Sequence, residues 1–245
     1  MDPRSALLLF VIALNSFALL SPLSPHPSGA ESALPSSYAV LASDPLTGEY
    51  GVAAASHAPL IGLNLDFLAA DIGGVVVLGG PFLQLNETVL IALRDGLKPD
   101  RAIAVGLAAD PDRESRQLLA LSPLGAAAFS GKKLGDHVGQ QTGEHFVVAG
   151  HQLDNDKVVP ALAEAFSAAE GSLADRLLQA LVAGRDAGGE KDGEHSAALL
   201  VVGPGAKFAT RDRLVDLRID FAPSDAVSAL VDLRARVDSV YEVVR

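Results

Sequence analysis

The feature that most constrains the fold is a short run of glycine and branched apolar residues, GGVVVLGG, at positions 73 to 80. The run contains no polar residue and is flanked by glycines, which is typical of a strand that is buried on both faces. Such a strand needs other elements packed on each side of its sheet. The sequence therefore predicts a layered fold that contains an enclosed sheet.

The order of the expected elements narrows the choice of layered fold. Residues 38–43 and 50–56 predict a hairpin around the turn DPLTGE, and Asn86 is expected to cap a helix that Gly96 ends. Blocks of strands that alternate with pairs of helices indicate an α+β fold rather than a doubly wound parallel sheet. We expect a four-layer αββα sandwich of two mainly antiparallel sheets between helix layers. The remaining elements are expected at 99–109 (helix), 116–131 (hairpin), 144–150 (strand), 155–171 and 172–189 (helices), 196–202 and 213–220 (strands), and from 223 onward (helix).

Charge and composition exclude several classes of function. The formal net charge is -11, which repels phosphate backbones and anionic surfaces, so no nucleic-acid partner is expected. The chain has no cysteine, which excludes a thiol nucleophile, a thiolate metal site and disulfides. Any catalysis must therefore use hydroxyl, imidazole, carboxylate or amine groups, and no cofactor is indicated.

The first thirty residues differ from the rest of the chain. An apolar run follows Arg4 and gives way to SPLSPHPSGA, in which Ser28 and Ala30 are placed as at a signal-peptidase cleavage site. The alternative is a membrane anchor, but Asn15 interrupts the run, and a span needs roughly 20 apolar residues. We expect a cleaved secretory signal at 1–30, a flexible lead at 31–36 and one domain at 37–245, in a secreted or periplasmic protein with no stable membrane span after cleavage.

Five separated segments carry a family resemblance: YAVLASDPLTGEYGVAAAS, LRDGLKPDRAIAVGLAADPDRESRQL, GEHFVVAGHQL, GGEKDGEHSAALLVV and DRLVDLRID. In order and spacing they resemble the bacterial domain of unknown function family 1028, which is placed in the N-terminal-nucleophile (Ntn) hydrolase superfamily. The resemblance covers about residues 37–236 and implies the same αββα sandwich. The family itself implies no settled activity.

The resemblance also implies a candidate nucleophile. In catalytic members of the superfamily, processing exposes a Thr, Ser or Cys at the start of the first strand, and its free α-amine serves as general base. Ser37 occupies the matching position. Where family members commonly have Ser-Lys, this chain has Ser56 and His57; His151 replaces an amide in a GNML-like turn, and His195 replaces a glutamine.

Other residues near expected strand ends are weaker candidates. Gly79 and Gly80 follow a buried strand and are candidates for an oxyanion hole, although glycines often flank strands for turn reasons alone. His57, His151 and His195 could form a metal site or serve as a base for Ser56 or Ser196, but their spacing gives no geometric support, and no metal is assigned.

Three hypotheses follow. The first is an exported amide-bond hydrolase of the Ntn class that uses Ser37, with His57 and His195 as further catalytic candidates and Ser56, His151, Gly79 and Gly80 around the substrate. The second is a non-catalytic domain on the same fold that binds a small-molecule or peptide-like ligand or a partner protein, with Ser36 and Ser37 merely leading into the first strand. The third is a hydrolase with an internal Ser and His or a histidine metal site. Ala-rich surfaces are compatible with a homo-oligomer.

Overall fold

Apolar alternation along the strands creates two antiparallel sheets in the computed structural model, which describes residues 36–79, 82–204 and 213–242. The predicted signal segment and residues 31–35 lie outside the described residues, as does Gly80. The strands are β1 Ser37–Asp44, β2 Glu49–Ser56, β3 Leu68–Ala69, β4 Gly73–Leu78, β5 Gln117–Ser122, β6 Gly125–Ser130, β7 Gly139–Thr142, β8 Phe146–His151, β9 Ser196–Val202 and β10 Arg213–Ile219. The helices are α1 Leu83–Arg94, α2 Pro99–Leu107, α3 Val158–Ala168, α4 Leu173–Asp186 and α5 Ala226–Glu242.

The larger sheet has the strand order β10-β9-β2-β1-β8-β7, and the smaller sheet has the order β3-β4-β5-β6. All of these pairings are antiparallel. The predicted hairpin of β1 and β2 is confirmed: Asp44 pairs with Glu49, the Asp44 Oδ1 atom accepts a hydrogen bond from the Leu46 N–H, and Gly48 has a φ of 73°. That φ favours glycine, as the turn requires.

Three apolar clusters show how the layers stack. Tyr38 and Val40 of β1 pack with residues of α3, α4 and α5, whereas Ala39 and Leu41 face the second sheet. The predicted enclosed strand is β4: Val76 and Leu78 join the core between the sheets, and Val75 and Val77 pack against α1 and α2. The predicted four-layer αββα sandwich is confirmed in the described part of the chain, where no helix is long and apolar enough to cross a membrane.

Two local expectations need correction. Asn86 is not an N-cap: α1 begins at Leu83, and the fully buried Asn86 lies inside the helix, where its side-chain amide donates to the Phe82 carbonyl at 3.3 Å. The helix starts early because Leu83, Gln84 and Leu85 tolerate helical geometry well. Strand β7 was not expected, because its sequence GQQT has no apolar alternation and it pairs only at the edge of the sheet.

Candidate functional site

A row of polar residues crosses one end of the larger sheet. Ser37 pairs with Ser56 on one side and with His151 on the other, and Ser56 pairs with Ser196. Directly paired residues of antiparallel strands point to the same face. Because Ala39 and Leu41 of β1 face the second sheet, Ser37 and the whole row do so too. The row therefore closes one end of the core between the two sheets.

Ser37 is the least satisfied member of this row. It is 0 % exposed, and its Oγ atom has no hydrogen-bond partner among the described residues. A buried hydroxyl without a partner costs about 1–3 kcal/mol, so native structures seldom contain one without a reason. By contrast, Ser56 Oγ bonds the Ser36 carbonyl at 2.8 Å, and Ser196 Oγ bonds the Ala58 carbonyl at 2.6 Å.

The peptide carbonyl directly before Ser37 is held by two donors. The Ser36 oxygen accepts from Ser56 Oγ at 2.8 Å and from the His57 N–H at 3.4 Å. The Ser36 side chain is held as well, because its Oγ donates to Glu190 Oε2 at 2.5 Å. Hydrogen bonds therefore hold both the carbonyl and the side chain of Ser36. The next residue carries the Ser37 Oγ atom, which has no hydrogen-bond partner among the described residues.

His151 is positioned by Gln117, which reaches it from the second sheet. The Gln117 side-chain nitrogen lies 3.1 Å from the carbonyls of Gly139 and Gly150, which can only accept, so the amide orientation is determined. The Gln117 oxygen must then accept from His151 Nδ1, at 2.9 Å. His151 Nδ1 therefore carries a proton, which it donates to Gln117.

His57 and His195 lie on the other face of the sheet. They follow the alternation of Ala55 and Ala197, which pack toward the helices, and their ring centroids are 4.9 Å apart. Each ring binds a backbone carbonyl through Nδ1: His57 binds Gly193 at 3.3 Å, and His195 binds Ala222 at 2.8 Å. The three histidines therefore do not form one cluster, and no group of three metal-ligating side chains occurs within the described ranges.

Two buried carboxyl groups stand beside the start of β1. Glu190 is 4 % exposed and Glu194 is 6 % exposed, and Tyr38 donates its hydroxyl proton to Glu194 at 2.9 Å. Burial raises the pKa of Glu190 well above its usual range, and the nearby Glu194 carboxylate raises it further, while the bond from Ser36 opposes the rise. Burial, with the adjacent Glu194 charge, likewise raises the pKa of Tyr38.

Gly79 lies at the same end of the sandwich as the polar row. It follows Leu78, which pairs with Gln117, and its φ is 94°. A residue with that φ is normally glycine, so the turn alone explains the residue type. Its proposed oxyanion role stays a prediction, and the same role for Gly80 falls outside the described residues.

The structure brings together some of the sequence candidates and adds others. Ser37, Ser56 and His151 share one row, whereas His57 and His195 form a separate pair. Sequence reasoning missed Gln117 and the carboxyl groups of Glu190 and Glu194. A polar residue opening the apolar run LLAL was a signal for Gln117, but the loop GGEKDGEH gave no sign that two of its carboxylates are buried.

Comparisons with known proteins agree with this architecture. The model of the family of unknown function DUF1028 matches residues 37–230. The crystal structure of protein SPO2555 from Silicibacter pomeroyi, described by the same family model, is 35 % identical, with a TM-score of 0.74 over 83 % of this chain and 89 % of that one. A search of the curated proteins gave no match. The family match covers most of the chain, and the chain therefore belongs to the DUF1028 family.

Proposed function

We propose that this protein is an exported amide-bond hydrolase of the Ntn class, with Ser37 as its nucleophile after removal of the residues before it. The observation that carries the proposal is that the buried Ser37 Oγ has no hydrogen-bond partner among the described residues, while two donors hold the carbonyl of the preceding residue, Ser36. Donors aimed at a carbonyl oxygen stabilise the oxyanion that forms when the carbonyl carbon is attacked.

Exposure of Ser37 is proposed to occur by self-cleavage. Ser37 Oγ attacks the Ser36 carbonyl carbon; the Oγ–C bond forms, the C–N bond to Ser37 breaks, and the hydroxyl proton passes to the leaving amine. Water then hydrolyses the resulting ester, which leaves a carboxylate on Ser36 and restores the Ser37 hydroxyl. Ser56 Oγ and the His57 N–H hold the attacked oxygen during both steps.

The same groups then act on a substrate amide. The free α-amine of Ser37 accepts the hydroxyl proton, and an ordinary α-amine is suited to this because its pKa is about 7.7–8.0. Oγ forms an acyl ester, the amine leaves with the transferred proton, and water releases the acid. Before cleavage the Ser37 nitrogen belongs to a peptide bond and cannot act as this base.

The proposal predicts that Ser37→Ala abolishes the new N-terminus. Wild-type protein recovered from the exported fraction is expected to begin at Ser37 by intact mass and N-terminal sequencing, because only Ser37 Oγ can make the attack. Ser37→Ala should retain Ser36. Ser43→Ala, at the other end of the same strand, is the matched control and should be processed normally. A wild-type chain that keeps Ser36, or a Ser37→Ala chain that loses it, contradicts the proposal.

A second candidate function is a non-catalytic binding domain on the same fold. It is favoured by the bonds that hold Ser36 in place and by the complete burial of Ser37 in the uncut chain. A mature protein that starts near Glu31 and keeps Ser36 would support this candidate, with the two serines simply leading the chain into β1.

A further inference from the structure

The side chain of Ser36 occupies a buried position next to a hydrogen-bond acceptor, the carboxyl group of Glu190. Ser36 is 6 % exposed, and its hydroxyl donates to Glu190 Oε2 at 2.5 Å while its carbonyl accepts from Ser56 and from the His57 N–H. Glu190 thus binds the side chain of Ser36, whereas Ser56 and His57 bind its carbonyl. An acyl group bound here would be recognised at both points.

The carboxyl groups around this place have spare acceptor capacity. Glu190 Oε1 is buried and has no partner among the residues that the structure describes. Glu194 Oε1 accepts from Tyr38 and, at 3.3 Å, from the Glu190 N–H. Neither carboxyl group forms an ion pair with a described lysine or arginine. No described lysine or arginine therefore offsets the charge that these carboxyl groups carry when they are ionised.

The backbone around Glu194 is adapted to its buried position. Gly189 has a φ of 58°, and a β-carbon at this residue would collide with Glu194 Oε1. A glycine here allows the carboxylate to approach the backbone closely. The loop between α4 and β9 thus places the carboxyl groups of Glu190 and Glu194 in contact with residues at the start of β1.

We infer that the enzyme acts on amides whose acyl group carries a hydroxyl or ammonium group on the carbon β to the carbonyl. The inference rests on the proposed function and deepens it. In self-cleavage and in catalysis the same Oγ attacks a carbonyl held by the same two donors, so the substrate acyl group must extend into the place that Ser36 leaves. Glu190 Oε2 then meets the substituent in the position of the Ser36 hydroxyl. An acyl group without a hydrogen-bond donor at this position would leave Glu190 Oε2 unpaired. Sites that hydrogen-bond a substrate hydroxyl or amine reject analogues that lack it.

The uncut chain provides a first test, because Ser36 is its own acyl group. Self-cleavage is followed by intact mass during refolding of the full chain. Ser36→Ala is expected to slow cleavage about tenfold, while Ser36→Thr, which keeps the β-hydroxyl, should cleave within a few-fold of wild type. Cleavage of Ser36→Ala at the wild-type rate would overturn the inference but leave the proposed function intact.

Matched substrates provide the second test. Protein shown by mass to begin at Ser37 is assayed with the aminocoumarin amides of N-acetylserine, N-acetyl-2,3-diaminopropionic acid and N-acetylalanine. The first two should exceed the alanine amide about tenfold in kcat/KM. Glu190→Gln, which keeps an acceptor but removes the charge, should lose the preference for the ammonium and retain that for the hydroxyl; Glu190→Ala should lose both. The exposed Glu144→Gln is the control and should change neither preference.

The outcomes separate the two ideas. Equal rates on all three amides would overturn the inference about the acyl group alone. Failure to hydrolyse any of the three, together with an uncleaved wild-type chain, would overturn the proposed function as well.

Discussion

Gln117 connects the two sheets through one side chain. Its amide nitrogen lies within 3.1 Å of Ser130 Oγ and of the carbonyls of Gly139 and Gly150, and its oxygen accepts from His151. Gln117 and His151 are both 0 % exposed, so no bulk water can replace these bonds. The hydrogen bond of His151 Nδ1 and the contact between the two sheets at this end thus depend on the same residue.

We expect Gln117→Leu to lower the free energy of unfolding by about 2–4 kcal/mol. The reason is that His151 Nδ1 loses its acceptor and the buried carbonyls of Gly139 and Gly150 lose their donor. Urea unfolding followed by circular dichroism measures the change. Gln141→Leu, an exposed glutamine in β7, should shift stability by about 0.5 kcal/mol or less. Equal stability of the Gln117→Leu variant and wild type would contradict the network.

The candidate site could be predicted from the sequence only in part. Ser37, Ser56 and His151 stand at the ends of apolar strands, so antiparallel pairing brings them into one row. The separation of His57 from His151 depends on which face each side chain takes, and this requires the register. Burial of Glu190 depends on the path of a glycine-rich loop, which carries no periodic signal.

Helix α4 covers the central strands of the larger sheet. Its residues Leu173, Leu177 and Leu181 pack into the same cluster as Tyr38. Its start is capped by a side chain: Ser172 Oγ accepts from the Asp175 N–H at 3.2 Å and donates to the Asp175 carboxylate. The helix start is therefore set locally, before tertiary packing adds to it.

Ser172→Ala removes this cap and should destabilise the protein by about 1 kcal/mol. The reason is that the Asp175 N–H loses its acceptor at the helix start. Thermal and urea unfolding measure the effect. Ser167→Ala is the matched control inside α3, where the hydroxyl only bonds back to the Ala163 carbonyl, and should be nearly neutral. A larger loss in Ser167→Ala than in Ser172→Ala would contradict the capping assignment.

Elements with a strong local signal were predicted well, and those without one were not. Helix α4 and the enclosed strand β4 were both expected. The polar edge strand β7 was missed because its position is set by pairing with β8 rather than by its own residues. The prediction of Asn86 as an N-cap was wrong. The residue type suits a cap, but tertiary packing buries Asn86 within α1.

At the scale of the whole molecule, the buried Glu190 makes stability depend on pH. Its raised pKa means that the folded protein binds this proton more tightly than the unfolded chain, in which glutamate has a pKa of about 4.3. Between that value and the folded pKa, the folded state carries more protons than the unfolded state. The contribution of Glu190 to stability is therefore fully present at low pH and is lost as the pH rises through this window.

Glu190→Gln should remove this dependence. Relative to wild type, the variant is expected to gain stability as the pH rises from about 4.3 through the raised folded pKa of Glu190, with a slope of at most about 1.4 kcal/mol per pH unit for one proton. Urea unfolding of both proteins at each pH measures the difference, in which shared titrations such as that of Asp110 cancel. Exposed Glu144→Gln should show no such trend. A constant difference between Glu190→Gln and wild type would contradict the burial of a titrating group.

The central position of β1 in the larger sheet has a consequence for the order in which the chain assembles. The first strand pairs with β8, and its hairpin partner β2 pairs with β9, and each of these two ladders joins segments that are far apart in the chain. Contacts of such long range slow folding, and the ladder between β2 and β9 cannot be complete before Val202 is available to pair with Tyr50. Because Glu190 lies in the loop directly before β9, the bond that holds the Ser36 side chain forms late, and the proposed cleavage would reach its full rate only after this segment is in place.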